Sequence, residues 1–161
     1  MYRKSLAILG SALALLAFTL TPMRAAQSSP PSDGYVGADA CKSCHGSHYD
    51  AWNSTKHQKA LGKLQAAERE GDKCIRCHVT GSPDMIKADG AKPRFPGVQC
   101  ESCHGAGATH VDQAKAKSIV KGAIVKTPDG DVCARCHSEA SPHYKPFFYD
   151  AMKGLVHTIK K

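Results

Sequence analysis

Three apolar patterns stand out along the chain. The first is Ser5 to Leu20 (SLAILGSALALLAFTL), uncharged and mostly apolar, preceded by Tyr2, Arg3 and Lys4 and followed by Pro22 and the small residues Ala25 and Ala26. A short basic region, an apolar run and a small-residue cleavage site make a secretory signal peptide, with cleavage near Ala25 or Ala26. The rival reading is a retained membrane anchor, but a span needs about 20 apolar residues, and this run is shorter and ends in proline. No cysteine lies near the cleavage site, the first being Cys41, which speaks against a lipoprotein anchor. The second pattern lies in KHQKALGKLQAAERE, where His57, Ala60, Leu61 and Leu64 recur at i, i+3, i+4 and i+7 behind Ser54 and Thr55. That spacing predicts a helix with the histidine on its apolar stripe. The third is YDAMKGLVHTIKK, a C-terminal helix starting near Asp150 with Met152, Leu155, Val156 and Ile159 on one face and His157 to the side. The chain divides into a signal peptide at 1–25, a flexible linker at 26–36 and a single domain at 37–161.

Composition leaves that domain short of core. Aromatic residues are 6%, against Gly 14 and Pro 9, so something other than side chains is expected to fill the middle. All eight cysteines fall in the exported part, where a disulfide-stapled domain is the default reading. The formal charge of +8 includes Arg3, Lys4 and Arg24. It falls to about +5 after cleavage and is spread along the chain, which argues against nucleic acid as a partner.

The cysteines change the picture, because they come in four pairs with histidine at once after each: CKSCH at Cys41, CIRCH at Cys74, CESCH at Cys100 and CARCH at Cys133. With histidine 9 of 161 residues, chance would put it after all four pairs on the order of once in a hundred thousand, so this is the signature of c-type haem attachment. Zinc ribbons use CxxC pairs without needing a histidine at each next position. Disulfides need no adjacent histidine, and a redox dithiol would come once. Two thiols three residues apart can both add to the vinyl groups along one porphyrin edge, and the next residue turns an imidazole onto the iron. Cys41 and Cys44, Cys74 and Cys77, Cys100 and Cys103, and Cys133 and Cys136 are therefore read as haem thioethers. His45, His78, His104 and His137 are the proximal iron ligands. Four covalent haems then form the core. Their propionates add about −8, so the basic residues are mostly compensation for propionates rather than a docking face for an acidic partner.

Five histidines lie outside the motifs: His48, His57, His110, His143 and His157. Four six-coordinate haems need eight histidines and the chain has nine, whereas only Met85 and Met152 remain as methionine ligands after cleavage. Bis-histidine ligation, with low potential and low spin, is the expectation for most sites. A histidine on an apolar helix face is usually structural, but around a haem core His57 becomes a ligand candidate. His110 sits in a Gly-rich turn where no periodicity constrains it. His157 is a candidate despite its sideways position, and His143, on the SPHYKPFF loop, is a further one. His48 is expected to face solvent or pack on Trp52. Six residue steps separate His104 from His110. They span at most about 20 Å, barely enough to round the porphyrin that His104 holds, so a neighbouring haem is the easier target for His110.

From about Tyr35 to the C-terminus the chain resembles the tetrahaem cytochrome c-554 family. The resemblance rests on CKSCHGSHYDAWNSTKHQKAL with Trp52 and His57, on CIRCHVTG, on PGVQCESCHGAG followed by His110, and on CARCH, a Ser-Pro loop and a short helix bearing His157. It implies a mainly α fold with long loops around four stacked haems and little or no β-sheet. It also implies distal roles for His57 on the third haem, His110 on the first and His157 on the fourth. The second haem, on Cys74 and Cys77, is five-coordinate in the best-known member. This chain departs from the pattern in its shorter loops between motifs and in His143, which stands on the loop near that haem.

The leading functional expectation is a periplasmic carrier of electrons between redox partner proteins, with no catalytic residue and no stable membrane insertion. A redox enzyme acting on a small nitrogen compound such as nitric oxide at an open second haem is the alternative, though CIRCHVTGSPDM offers only Arg76 and Asp84 for acid–base work. A third reading, a membrane-anchored quinol dehydrogenase subunit, requires residues 5–20 to stay as an anchor.

Overall fold

The computed structural model describes residues 34–81 and 93–157. The signal segment, Asp84, Met85 and Ile159 lie outside them. The elements in chain order are α1 (Ala38–Lys42), α2 (Gly46–Asn53), a 3-10 turn (Leu61–Lys63), α3 (Ala66–Arg69), α4 (Asp72–Ile75), β1 (Val79–Thr80), β2 (Phe95–Pro96), α5 (Cys100–His104), α6 (Ala108–Lys115), α7 (Gly130–Ala134), α8 (Tyr149–Met152) and a second 3-10 turn (Lys153–Leu155). The fold is mainly helical, as the resemblance implies. Its only sheet among the described residues is the antiparallel pair β1–β2, with Val79 opposite Pro96 and Thr80 opposite Phe95.

Each CxxCH motif is one helical turn. His45 N–H donates to Cys41 O at 2.9 Å, His137 N–H to Cys133 O at 2.9 Å and His78 N–H to Ile75 O at 2.9 Å, while the third motif is α5 itself. Residues three apart on a helix share a face, so each turn presents its two thiols side by side. Every turn also carries an acid in its first residues, at Asp39, Asp72, Glu101 and Asp131, where the amide dipoles favour negative charge.

The side-chain core is small, as the composition requires. Ala38, Trp52, Ala60, Leu64, Ile75 and Val79 are its buried apolar members, joined by Thr80 and Glu101. All of them precede Gly107, and no described residue beyond Gly107 is buried. The strap Gly97-Val98-Gln99 ties this core together. Gly97 N–H donates to His78 O at 3.1 Å and Val98 N–H to His57 O at 2.9 Å. Trp52 Nε1–H donates to Val98 O at 2.8 Å, and Gln99 Oε1 accepts Ala38 N–H at 2.7 Å. Thr80 Oγ1, buried beside it, donates to Gly97 O and accepts Gln99 N–H and Ser102 Oγ–H.

Two expected helices form only in part. Residues 54–60 are turns rather than the start of a helix. Ser54 and Thr55 bond backwards, to Ala51 O at 2.8 Å and Trp52 O at 2.7 Å, and so finish α2 instead of opening a new helix. Leu64 is extended at ψ 137°, and a capping box between Gln65 and Glu68 starts the separate α3. The apolar spacing still works, since Ala60 and Leu64 are buried. At the C-terminus α8 lasts four residues before tightening into a 3-10 turn, and Leu155, expected on the apolar face, is 72% exposed.

Candidate haem sites

The motif histidines meet histidines from distant segments. His45 and His110 face each other with ring centroids 6.3 Å apart and planes 23° apart. His104 and His157 do so at 6.1 Å and 23°, and His57 and His137 at 6.0 Å and 64°. An iron bonded to two imidazole nitrogens at about 2 Å each sets their ring centroids about 6.3 Å apart. Axial imidazoles share the iron–nitrogen axis but need not share a plane, so all three pairs have the separation of a bis-histidine site. Among the described residues no group of three or more His, Cys, Asp and Glu could hold a bare metal ion. Two imidazoles at this separation suit an iron whose other four positions a porphyrin fills.

Two proximal rings are also oriented for the iron. His78 Nδ1–H donates to Ala60 O at 2.8 Å, and His104 Nδ1–H to Val125 O at 2.5 Å. A carbonyl only accepts, so the proton is on Nδ1 and the lone pair of Nε2 is free to bind metal. Burial, and then the neighbouring His137, lowers the pKa of His57 and favours the neutral, ligating form. The residues therefore fit the group.

His110 stands opposite the first motif, as the resemblance implies. The other two distal partners are exchanged relative to the expectation. His57 faces the fourth motif rather than the third, and His157 faces the third rather than the fourth. The reason is tertiary: the two bonds between Val125 and His104 lay the segment before the fourth motif against the third motif, and His137 stacks on Phe147 at 4.7 Å. His143 is exposed, and among the described residues no histidine ring is paired with His78. His48 is exposed, one of its two expected placements, and Trp52 has Tyr49 as its ring partner at 5.5 Å. His48 stands edge-on to His45 at 6.0 Å and to His157 at 5.3 Å, between two of the pairs. Three residues reach at most about 10 Å, too short for His48 to round a porphyrin held by His45. Desolvation, followed by the charges of His157, His45 and His104, lowers its pKa.

The thiols show how the motifs adjoin. All eight are free, so the disulfide reading finds no bridge. Cys41 and Cys100 share a hydrogen bond, which holds the Cys41 thiol above the ordinary range and, with the proton left on Cys41, brings Cys100 below it. Burial, then the charge of Cys77 and a hydrogen bond with it, pushes Cys136 up to about 12, against the pull of Arg76. Burial and then the charge of Cys133 raise Cys103. The first motif thus abuts the third, the third the fourth, and the fourth the second. These contacts, like the buried Glu101, were not legible in the motif spacing.

Helical CxxCH turns that end on opposed imidazoles define a c-type cytochrome. The chain matches the family described as cytochrome c554 and c-prime over residues 40–105. It is 29% identical over 164 aligned residues to cytochrome c-554 of Nitrosomonas europaea, taking in 81% of this chain and 70% of that protein. By these matches the chain is similar to the cytochrome c-554 family, over residues 40–105 in the family model and over most of its length in the relative. No solved structure matches it. Among the described residues no helix is long and apolar enough to cross a membrane.

Proposed function

We propose that the mature protein is a periplasmic tetrahaem cytochrome, exported by residues 1–25, that passes electrons through four haems between a donor and an acceptor protein. The observation that carries this reading is the set of three opposed histidine pairs, each joining a CxxCH turn to a residue far along the chain. When bound, haem supplies a one-electron iron couple. The protein's residues do the rest. Cys41 and Cys44, Cys74 and Cys77, Cys100 and Cys103, and Cys133 and Cys136 hold the four groups covalently. His45, His78, His104 and His137 bind the irons from one side. His110, His157 and His57 close the first, third and fourth sites, and a closed site changes little in geometry when its charge changes. Exposed Phe148 and Leu155 supply apolar surface of the kind a porphyrin face takes up. The adjoining cysteines support the order first, third, fourth, second along the line of centres.

A second reading has one observation in its favour. His78 is oriented by Ala60 O but has no described imidazole opposite, which leaves room for a small ligand such as nitric oxide at the second site.

The mass of the mature protein and electron paramagnetic resonance test these readings. Four haems and an N-terminus at residue 25–27 are expected, and a mass short of four haems sinks the tetrahaem reading. His110→Ala, His157→Ala and His57→Ala should turn the first, third and fourth haem high-spin, respectively. A high-spin fourth haem in His157→Ala would restore the other pairing. A high-spin centre in the unmodified protein that binds nitric oxide favours the enzyme; an all-low-spin spectrum removes it.

A further inference from the structure

We propose that Glu101 is a charge-setting and positioning residue for the first and third haem sites: a carboxylate buried between them that holds their reduction potentials below those of the second and fourth. This rests on the tetrahaem reading above.

Glu101 is 1% exposed. Its Oε1 accepts N–H from Val36 at 2.9 Å and from Gly107 at 2.7 Å, and its Oε2 accepts N–H from Gly37 at 2.7 Å. Both oxygens act only as acceptors, which is the bonding of an ionised carboxylate. Among the described residues no Lys, Arg or His forms an ion pair with it. Neutral N–H groups compensate a buried charge only in part. A structural staple alone does not require that charge. Two residues earlier Gln99 does the same work on Ala38 N–H, at 2.7 Å, with an uncharged amide.

The other motifs sharpen the contrast. Their first-turn acids, Asp39, Asp72 and Asp131, are all exposed, where water and salt screen them. Between their cysteines stand Lys42 and Ser43, Ile75 and Arg76, and Ala134 and Arg135. Only the third motif places an acid there. Its charge reaches the adjoining sulfurs: behind the hydrogen bond and burial it adds to the rise of the Cys41 thiol, and it works against the fall that the hydrogen bond from Cys41 brings to Cys100. Where the second and fourth motifs adjoin, the exposed Arg76 acts on Cys136 in the opposite sense.

An anion in a poorly polarisable interior favours the more positive of two states. The ferric centre carries one positive charge more than the ferrous, so Glu101 opposes uptake of an electron at the two motifs it touches. The first and third sites become the low-potential end, and electrons run downhill towards the fourth and second. The same carboxylate positions ligands. It holds Val36 and Gly37 just before α1, which carries Cys41, and Gly107, the residue that opens α6 with His110.

The test is a potentiometric titration of the mature holoprotein carrying Glu101→Gln. Two of its four one-electron waves should move up, with the reduced-to-oxidised ratio at fixed applied potential rising at least tenfold, which is 59 mV for one electron. The mass should still show four haems, and resonance should still show the first and third as low-spin. Four attached haems with unmoved waves overturn the proposal, as does an equal shift of all four, which would mark general loosening. Glu101→Asp keeps the charge and should leave the waves in place; the same rise there as in the glutamine variant would remove charge as the cause. If neither variant assembles, unmodified protein labelled with 13C-glutamate decides. Its redox infrared difference spectrum should show an isotope-sensitive carboxylate band tied to the two low-potential waves, and no such band overturns the proposal. A wild-type mass below four haems would instead sink the tetrahaem reading itself.

Discussion

Residues 34–107 and residues 108–157 carry the same kind of site but are held in different ways. The first region has a core, small as it is, and a strap whose backbone groups bond to Trp52, His57 and His78. The second region buries nothing among its described residues. Beyond α6 it meets the first region at Val125, bonded to the backbone carbonyl and the ring of His104, at the rings of His137 and His157, and at Cys133 and Cys136 beside Cys103 and Cys77. One region is placed by ordinary protein contacts, which form without a cofactor. The other is placed by imidazoles, whose holding power comes from whatever metal they share. Where a metal links such rings, the second kind of region is a crosslinked product rather than an independently stable fold.

The largest expected effect breaks the molecule along that line. With Cys133→Ser and Cys136→Ser the fourth haem cannot attach, and the His57–His137 link loses its metal. Trypsin should then cut at Lys117, Lys121 and Lys126 on the order of tenfold faster, because local opening sets the rate, while residues 34–107 stay protected. Equal loss of protection in both regions would show that they form one cooperative unit.

A smaller effect compares two glycines with similar backbones. Gly97 and Gly122 have φ of +81° and +91°. A Cβ at Gly97 would press on the Gln58 carbonyl, whereas one at Gly122 would meet nothing. Gly97→Ala should therefore cost about 3 kcal/mol in denaturant unfolding, combining backbone strain with a clash that cannot relax. Gly122→Ala should cost about 1–2 kcal/mol, the strain alone. Similar costs for both would mean that the strap does not tie the core together.

Local chemistry was legible in the sequence; partnership between segments was not. The four CxxCH turns are helical because a three-residue spacing needs one turn, and that reads directly from the residues. The thin core follows from few aromatics. The segment PGVQCESCHG, which carries much of the family resemblance, turns out to be the strap and the buried carboxylate together. By contrast, the helix expected in KHQKALGKLQAAERE behind Ser54 and Thr55 breaks because those two residues bond backwards and the carbonyl of His57 is taken by Val98, a partner 41 residues away. The exchange of His57 and His157 between the third and fourth motifs has the same origin. Which ring a histidine faces depends on how the 116–129 segment lies against His104, and no periodicity records that. Glu101 looks on paper like any polar residue between two cysteines, and its burial appears only when three other segments close on it.

The smallest effect separates a hydroxyl in each region. Thr80 is buried, and its Oγ1 joins Gly97 O, Gln99 N–H and Ser102 Oγ at 2.7–2.9 Å. Thr80→Val keeps the shape but strands the Gln99 N–H away from water, which should cost about 2 kcal/mol. Tyr149 Oη–H donates to Pro128 O at 2.5 Å, the shorter bond of the two sites, yet it is only half-buried. In Tyr149→Phe, water can take over the carbonyl, so the loss should stay at or below about 1 kcal/mol. Burial and not bond length is what decides the ranking. If Tyr149→Phe proved the costlier change in urea unfolding, the region beyond Gly107 would have to possess a core of its own, and its dependence on shared metal would fall with that result.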